Sequence, residues 1–148
     1  ICPMYSTPIP TANPRSRSLA GAYHHVGVQT MVSTATPHAL VAMLFDGFVV
    51  AVHRARGAIR NGDVEAKCQA VGHAVRIIDE GLKSALDLQA GGKLATDLSD
   101  LYAYICVRLM QGNLRSDEAA LEECLNLIQP LREAWSAIGD KVNPSTSA

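Results

Sequence analysis

The chain has 148 residues, of which 48% are hydrophobic and 18% charged, with a formal net charge of −1. That length suits one domain with a real core, and that balance argues against a globally disordered chain. A near-neutral total supplies no basic stripe, so no nucleic-acid partner is expected.

Residues 1–18, ICPMYSTPIPTANPRSRS, place four prolines among Ser, Thr and Asn. This predicts an extended or disordered N-terminal segment. It lacks the apolar run of a signal peptide, and no stretch reads as a membrane span of ~20 uncharged apolar residues. The expectation is a cytoplasmic protein without membrane insertion. Leu19–Val32 reads as a short helix with Leu19, Tyr23 and Val26 on one face. Gly21 and Gly27 weaken it by about 1 kcal/mol each relative to alanine. Such a helix holds by docking and is open to displacement.

The chain is organised around Thr36–Asn61. Thr36 has the side chain of an N-cap, and Pro37 falls at the first helical position, where its missing N–H costs nothing. Asn61-Gly62 closes the far end. Leu40, Leu44, Gly47 and Ala51 form one apolar side, and Val41, Phe45, Phe48, Val52 and Ile59 form another. His38, Asp46, His53, Arg56 and Arg60 leave only a narrow polar stripe. An ordinary surface helix has one apolar stripe. This one either sits at the centre of a bundle or keeps part of its surface for a partner.

Gly62-Asp63 makes a tight turn with Asp63 as N-cap, which sends the next helix back antiparallel. Val64, Cys68, Val71, Val75, Ile78, Leu82 and Ala85 recur at steps of four and three, the seam of left-handed bundle packing. Gln89 to Gly92 is read as its end. Leu94, Leu98, Leu101, Ile105 and Leu109 mark a further helix, broken at Gly112-Asn113. Ser116 is read as the cap of the last one, which carries Leu121, Cys124, Ile128, Leu131, Trp135 and Ile138. Pro130 lies inside it and predicts a kink or a break near Gln129. No β pattern occurs. The expected fold is all-α: an antiparallel four-helix bundle with a short additional N-terminal helix over 19–139, then a flexible tail at 140–148.

Bundles can hold metals on inward faces, so the ligand spacings matter. No Glu lies three residues before any histidine, and no two histidines are four apart. Cys68, Cys106 and Cys124 stand singly among apolar residues with no C-x-x-C pair, and read as buried, reduced thiols. Asp97 and Asp100 share a face near a helix start, where carboxylates suit the helix dipole. No phosphate loop, nucleophile elbow or dinucleotide fingerprint is present. No metal, no cofactor and no enzymatic activity are expected.

Several motifs then fall in order: Ala22-Tyr23, TPHALVAMLFDG at 36–47, Asn61-Gly62-Asp63 and IIDEGLKSALD at 77–87. They continue with Gly91-Gly92, LATDLSDLYAY at 94–104, Arg108-Leu109 and Glu133-Ala134-Trp135. At these spacings the chain resembles the FliS flagellar export chaperones from about Ala22 to Ile138. Pro130 and the long proline-rich start depart from the family pattern. The resemblance implies a cytoplasmic chaperone that binds the C-terminal segment of flagellin one to one. It further implies that the chaperone prevents early polymerisation and presents its cargo to the export-gate component FlhA. Helix-in-groove recognition fits that role. The expected partner-binding residues are Tyr23, through the Ala-Tyr motif, and Val41, Phe45, Phe48 and Val52 on the second apolar face. The alternative is a self-associating bundle or adaptor that binds another amphipathic helix; a homodimer is not the primary expectation.

Overall fold

The computed structural model describes residues 36–142. The expected Leu19–Val32 helix and Tyr23 lie outside them. Among the described residues there are four helices and no strand, as the all-α expectation requires. They are α1 (Pro37–Asn61), α2 (Val64–Arg76, continued by a π-helical segment Ile77–Lys83), α3 (Leu88–Arg115) and α4 (Glu118–Val142).

The start of α1 is capped as its sequence dictates. Ala39 N donates to Thr36 Oγ1 at 3.1 Å, and Leu40 N to Thr36 O at 2.9 Å. At its end Gly62 adopts φ 70°, so that Gly62 N and Asp63 N reach the carbonyls of Ile59 and Ala58. A residue with a Cβ resists that left-handed conformation. Asp63 Oδ1 then accepts from Ala66 N at 3.0 Å, and α2 runs back beside α1.

The expected seam of α2 holds in its middle, and the π segment widens it. Cys68, Val71, Ile78 and Leu82 face the interior, but Val64 and Ala85 are exposed. Ile77 joins Ile78 inside, and Gly81 joins Leu82. A π turn holds more residues than an α turn, so two sequence neighbours can face inward at one pass. Gly81 permits the approach to α1, since a Cβ there would stand 2.9 Å from Leu44 Cδ1.

Three boundaries differ from the sequence reading. Gly91-Gly92 does not end the second helix: Asp87 caps α3, accepting from Gln89 N at 3.1 Å and Ala90 N at 3.0 Å. Gly92, at φ 56° and ψ −132°, is instead a kink inside α3. Gly112 does not break α3, because its role is contact: a Cβ there would lie 2.9 Å from Leu121 Cδ2. Ser116 closes α3 in the left-handed region at φ 50°, while Asp117 caps α4 by accepting from Ala119 N at 2.9 Å. The buried Lys67 fastens this turn to α2, donating from Nζ to Ser116 Oγ at 2.8 Å. Pro130 leaves α4 unbroken to Val142. Pro130 and Asn126 are both exposed, so the carbonyl deprived of its donor faces water.

The helices form a ring in which α1 packs mainly on α2 and α4, and α3 packs on α4 and on the α2–π rod. The core joins Leu44, Phe48 and Val52 to Val71, Ile78, Ile105, Leu109, Leu121 and Ile128, each at most 1% exposed. Cys106 and Cys124 are free thiols, as expected.

Candidate functional site

The second apolar face of α1 is covered. Phe45, Phe48 and Val52 are 3%, 0% and 0% exposed, and Val41 is half-buried against the same core. This differs from the expectation of an uncovered face held for a partner. The cause is the placing of α1 between α2 and α4. Of the two alternatives its periodicity allowed, the centre of a bundle is the one observed.

Its narrow polar stripe is the seam with α4. His38 stacks on Trp135 with ring centroids 4.6 Å apart and planes 5° from parallel. His38 Nε2 lies 2.7 Å from Trp135 O, and Trp135 Nε1 donates to His38 O at 2.9 Å. Gly139 leaves room for the imidazole, since a Cβ there would meet His38 Cε1 at 2.2 Å. Arg132 Nε donates to Asp46 Oδ1 at 2.8 Å. At the other end Arg56 and Arg60 close on Glu118 at 3.3 and 3.0 Å. The pairs run in opposite order along the two helices, which fixes α4 antiparallel to α1. By length and composition α1 alone among the described helices could cross a membrane, with a mean hydropathy of 1.4, against the expectation that no stretch would. In this fold His38, Asp46, Arg56 and Arg60 are engaged across the bundle.

The exposed apolar side chains that share a face lie on α3. Tyr104, Val107, Met110 and Leu114 are 44%, 53%, 49% and 84% exposed. With the exposed Ala103, they follow steps of four, three and four through Val107, Met110 and Leu114, so they share one helix face. An apolar line of this kind fits an amphipathic helix laid along it. The spacing was readable in the sequence. It was masked by the run Leu94, Leu98, Leu101, Ile105 and Leu109 that marks the same helix. That run supplies Ile105 and Leu109 to the core, while Leu94 is 68% exposed.

Beside this line Glu123 of α4 ties α3 down. It accepts from Tyr104 Oη and, at 2.8 Å, from Arg108 Nε. The Tyr104 and Arg108 hydrogen bonds hold the Glu123 carboxyl below its usual range, and Arg60 followed by Arg56 does the same for Glu118. The same Glu123 bond raises the Tyr104 phenol. Inside, burial pushes Tyr102 and Cys124 up to about 12, so both stay neutral, and the Cys124 thiol is held back from nucleophilic chemistry.

Among the described residues, ion pairs join α1 to α4 and α3 to α4, and the exposed face of α3 is apolar. The family described as "Flagellar protein FliS" matches residues 19–142. The chain is 48% identical over 122 residues to the flagellar secretion chaperone FliS of Salmonella typhimurium, covering 82% of this chain and 90% of that one. It is 37% identical to the Escherichia coli K12 chaperone of the same name over 77% of this chain and 84% of that one. The Bacillus subtilis chaperone is 33% identical over 72% and 78%. The chain belongs to the FliS family. It is a flagellar secretion chaperone and not an enzyme, and its partner is a flagellar protein.

Proposed function

We propose that this protein binds the C-terminal helical segment of flagellin in the cytosol, prevents its premature polymerisation and keeps it competent for export, with FlhA as the docking partner of the loaded complex. The observation that carries this reading is the apolar line Val107–Met110–Leu114 on the outside of α3, in a member of a chaperone family. A flagellin tail that is helical only when bound would match that line with anchors at i, i+3, i+4 and i+7. Coupled folding of such a segment commonly buries ~1,000–3,000 Å² and loses a few kcal/mol to ordering. The net affinity is then moderate, which suits a cargo that must be handed on. Tyr23 and Val41 are further proposed contacts, with Phe45, Phe48 and Val52 as the rigid support beneath.

The test is calorimetric titration with a flagellin C-terminal peptide. Met110→Asp should weaken binding by about tenfold or more, which is about 1.4 kcal/mol. Its thermal midpoint should stay within a few degrees of the parent, since Met110 is half in water already. Tyr23→Ala should behave likewise. Parent affinity in both variants would remove this face and Tyr23 from the mechanism, and no peptide binding by the parent chain would remove the function.

A further inference from the structure

A second concave surface lies between α1 and α2 and shares no residue with the apolar line of α3. It is a groove of about 470 Å³, within the usual range for ligand sites. Its floor is made of small side chains, Ala51 and Ala58 from α1 and Ala66 and Ala70 from α2. Gly57 deepens it. A Cβ at Gly57 would meet nothing within 4 Å, whereas one at Gly81 or Gly112 would stand 2.9 Å from a leucine side chain. Packing accounts for those two glycines and not for Gly57, which sits inside a helix, where glycine costs stability relative to alanine.

The walls are polar and unevenly charged. Arg54 is exposed and belongs to no ion pair among the described residues, while Arg56 and Arg60 of the same helix both close on Glu118. Asn61 and Gln69 line the groove with side-chain amides, which donate and accept as a peptide backbone does. Asp63 stands on the opposite wall at the hairpin turn. One of its oxygens caps α2, and a carboxylate has further acceptor capacity. From Asn61 and Asp63 to Ala51 and His73 the groove runs about 15 Å, at ~1.5 Å per residue. By the same measure Arg54 lies about 10 Å along it from Asp63. An extended chain covers that distance in about three residues, and side chains three apart point to opposite sides.

We propose that this groove receives an extended segment of a partner polypeptide other than the cargo. The segment sets a carboxylate side chain against Arg54 and, three residues along, an ammonium against Asp63. Asn61 and Gln69 meet its main-chain amides, and the alanine floor lets its backbone lie close. A docking helix satisfies its own amides and would leave Asn61 and Gln69 to water. Residues 1–35 of this chain contain no Asp or Glu, so they have no side chain to set against Arg54. The inference stands apart from the flagellin reading.

Two probes test this, acetyl-Glu-Ala-Ala-Lys-amide and its reverse, acetyl-Lys-Ala-Ala-Glu-amide, titrated into the full chain and followed by backbone amide shifts. One of the two should move the amides of Arg54, Gly57, Ala66 and Gln69, and the all-alanine tetrapeptide should not. Gly57→Leu fills the groove and should weaken binding by about tenfold or more. Its thermal midpoint should be no lower than the parent's, because the new side chain enters open space and favours the helix. Arg54→Glu should also weaken binding by about tenfold, and acetyl-Lys-Ala-Ala-Lys-amide should then prefer this variant to the parent. The absence of shifts with either probe overturns the proposal, as does parent affinity in both variants. A flagellin C-terminal peptide should bind Gly57→Leu as it binds the parent. A loss there would make the groove part of the cargo site and overturn a separate partner.

Discussion

Two apolar helix faces in this protein have opposite fates. The face of α1 that carries Phe45, Phe48 and Val52 is shut inside the bundle, while the face of α3 that carries Tyr104, Val107, Met110 and Leu114 stands in water. Both show helical spacing, and the buried one is the more hydrophobic. The difference lies in the neighbours. The α1 face is reached by α2, α4 and the π segment, whereas α3 turns only its inner side to α4 and to the α2–π rod. Apolar character alone does not mark a docking surface; what sets the α3 face apart is that no other described helix covers it.

This contrast can be broken by substitution. The largest effect belongs to the closed face: Phe48→Ala should destabilise the fold by about 3–5 kcal/mol in denaturant unfolding, the range for emptying an aromatic core site. A loss below about 1 kcal/mol would mean that this face is not the core. A middle-sized effect belongs to the acid pairs that border the two faces. Glu118 and Glu123 have lowered carboxyl pKa values in the fold, so their contribution is complete above the ordinary value of 4.5 and is lost as pH falls through the lowered ones. The thermal midpoint should therefore hold steady down to about pH 5 and drop below it, and Glu118→Gln with Glu123→Gln should flatten that drop. The smallest effect belongs to the open face. Leu114→Ser should change stability by no more than about 0.5 kcal/mol, since the side chain is 84% exposed, while weakening binding of the flagellin peptide.

Much of the architecture was legible because it depends on local chemistry. Thr36, Pro37 and Gly62-Asp63 set the ends of α1 and the start of α2 by capping, which needs only near neighbours. The misread boundaries depend on tertiary contact. Gly112 resembles a helix breaker in one dimension, yet it serves as a landing for Leu121. Gly92 resembles a terminator, but Asp87 had already begun the next helix. The doubled Ile77-Ile78 was the one local sign of the π winding. For the binding face the limit was deeper. A residue on α1 that waits for a partner and one that meets its own neighbour need the same side chain, so periodicity could not separate them. On α3 two apolar runs overlap, and only the packing shows which one faces out.

The clasp between His38 and Trp135 has one more consequence. Trp135 is the chain's lone tryptophan, and its indole lies flat beneath an imidazole from the first turn of α1. Its emission thus reads out the seating of that turn on α4, with no label attached. Should loading with cargo pry the beginning of the central helix away, the change will register as brighter, red-shifted fluorescence on the timescale of the event itself.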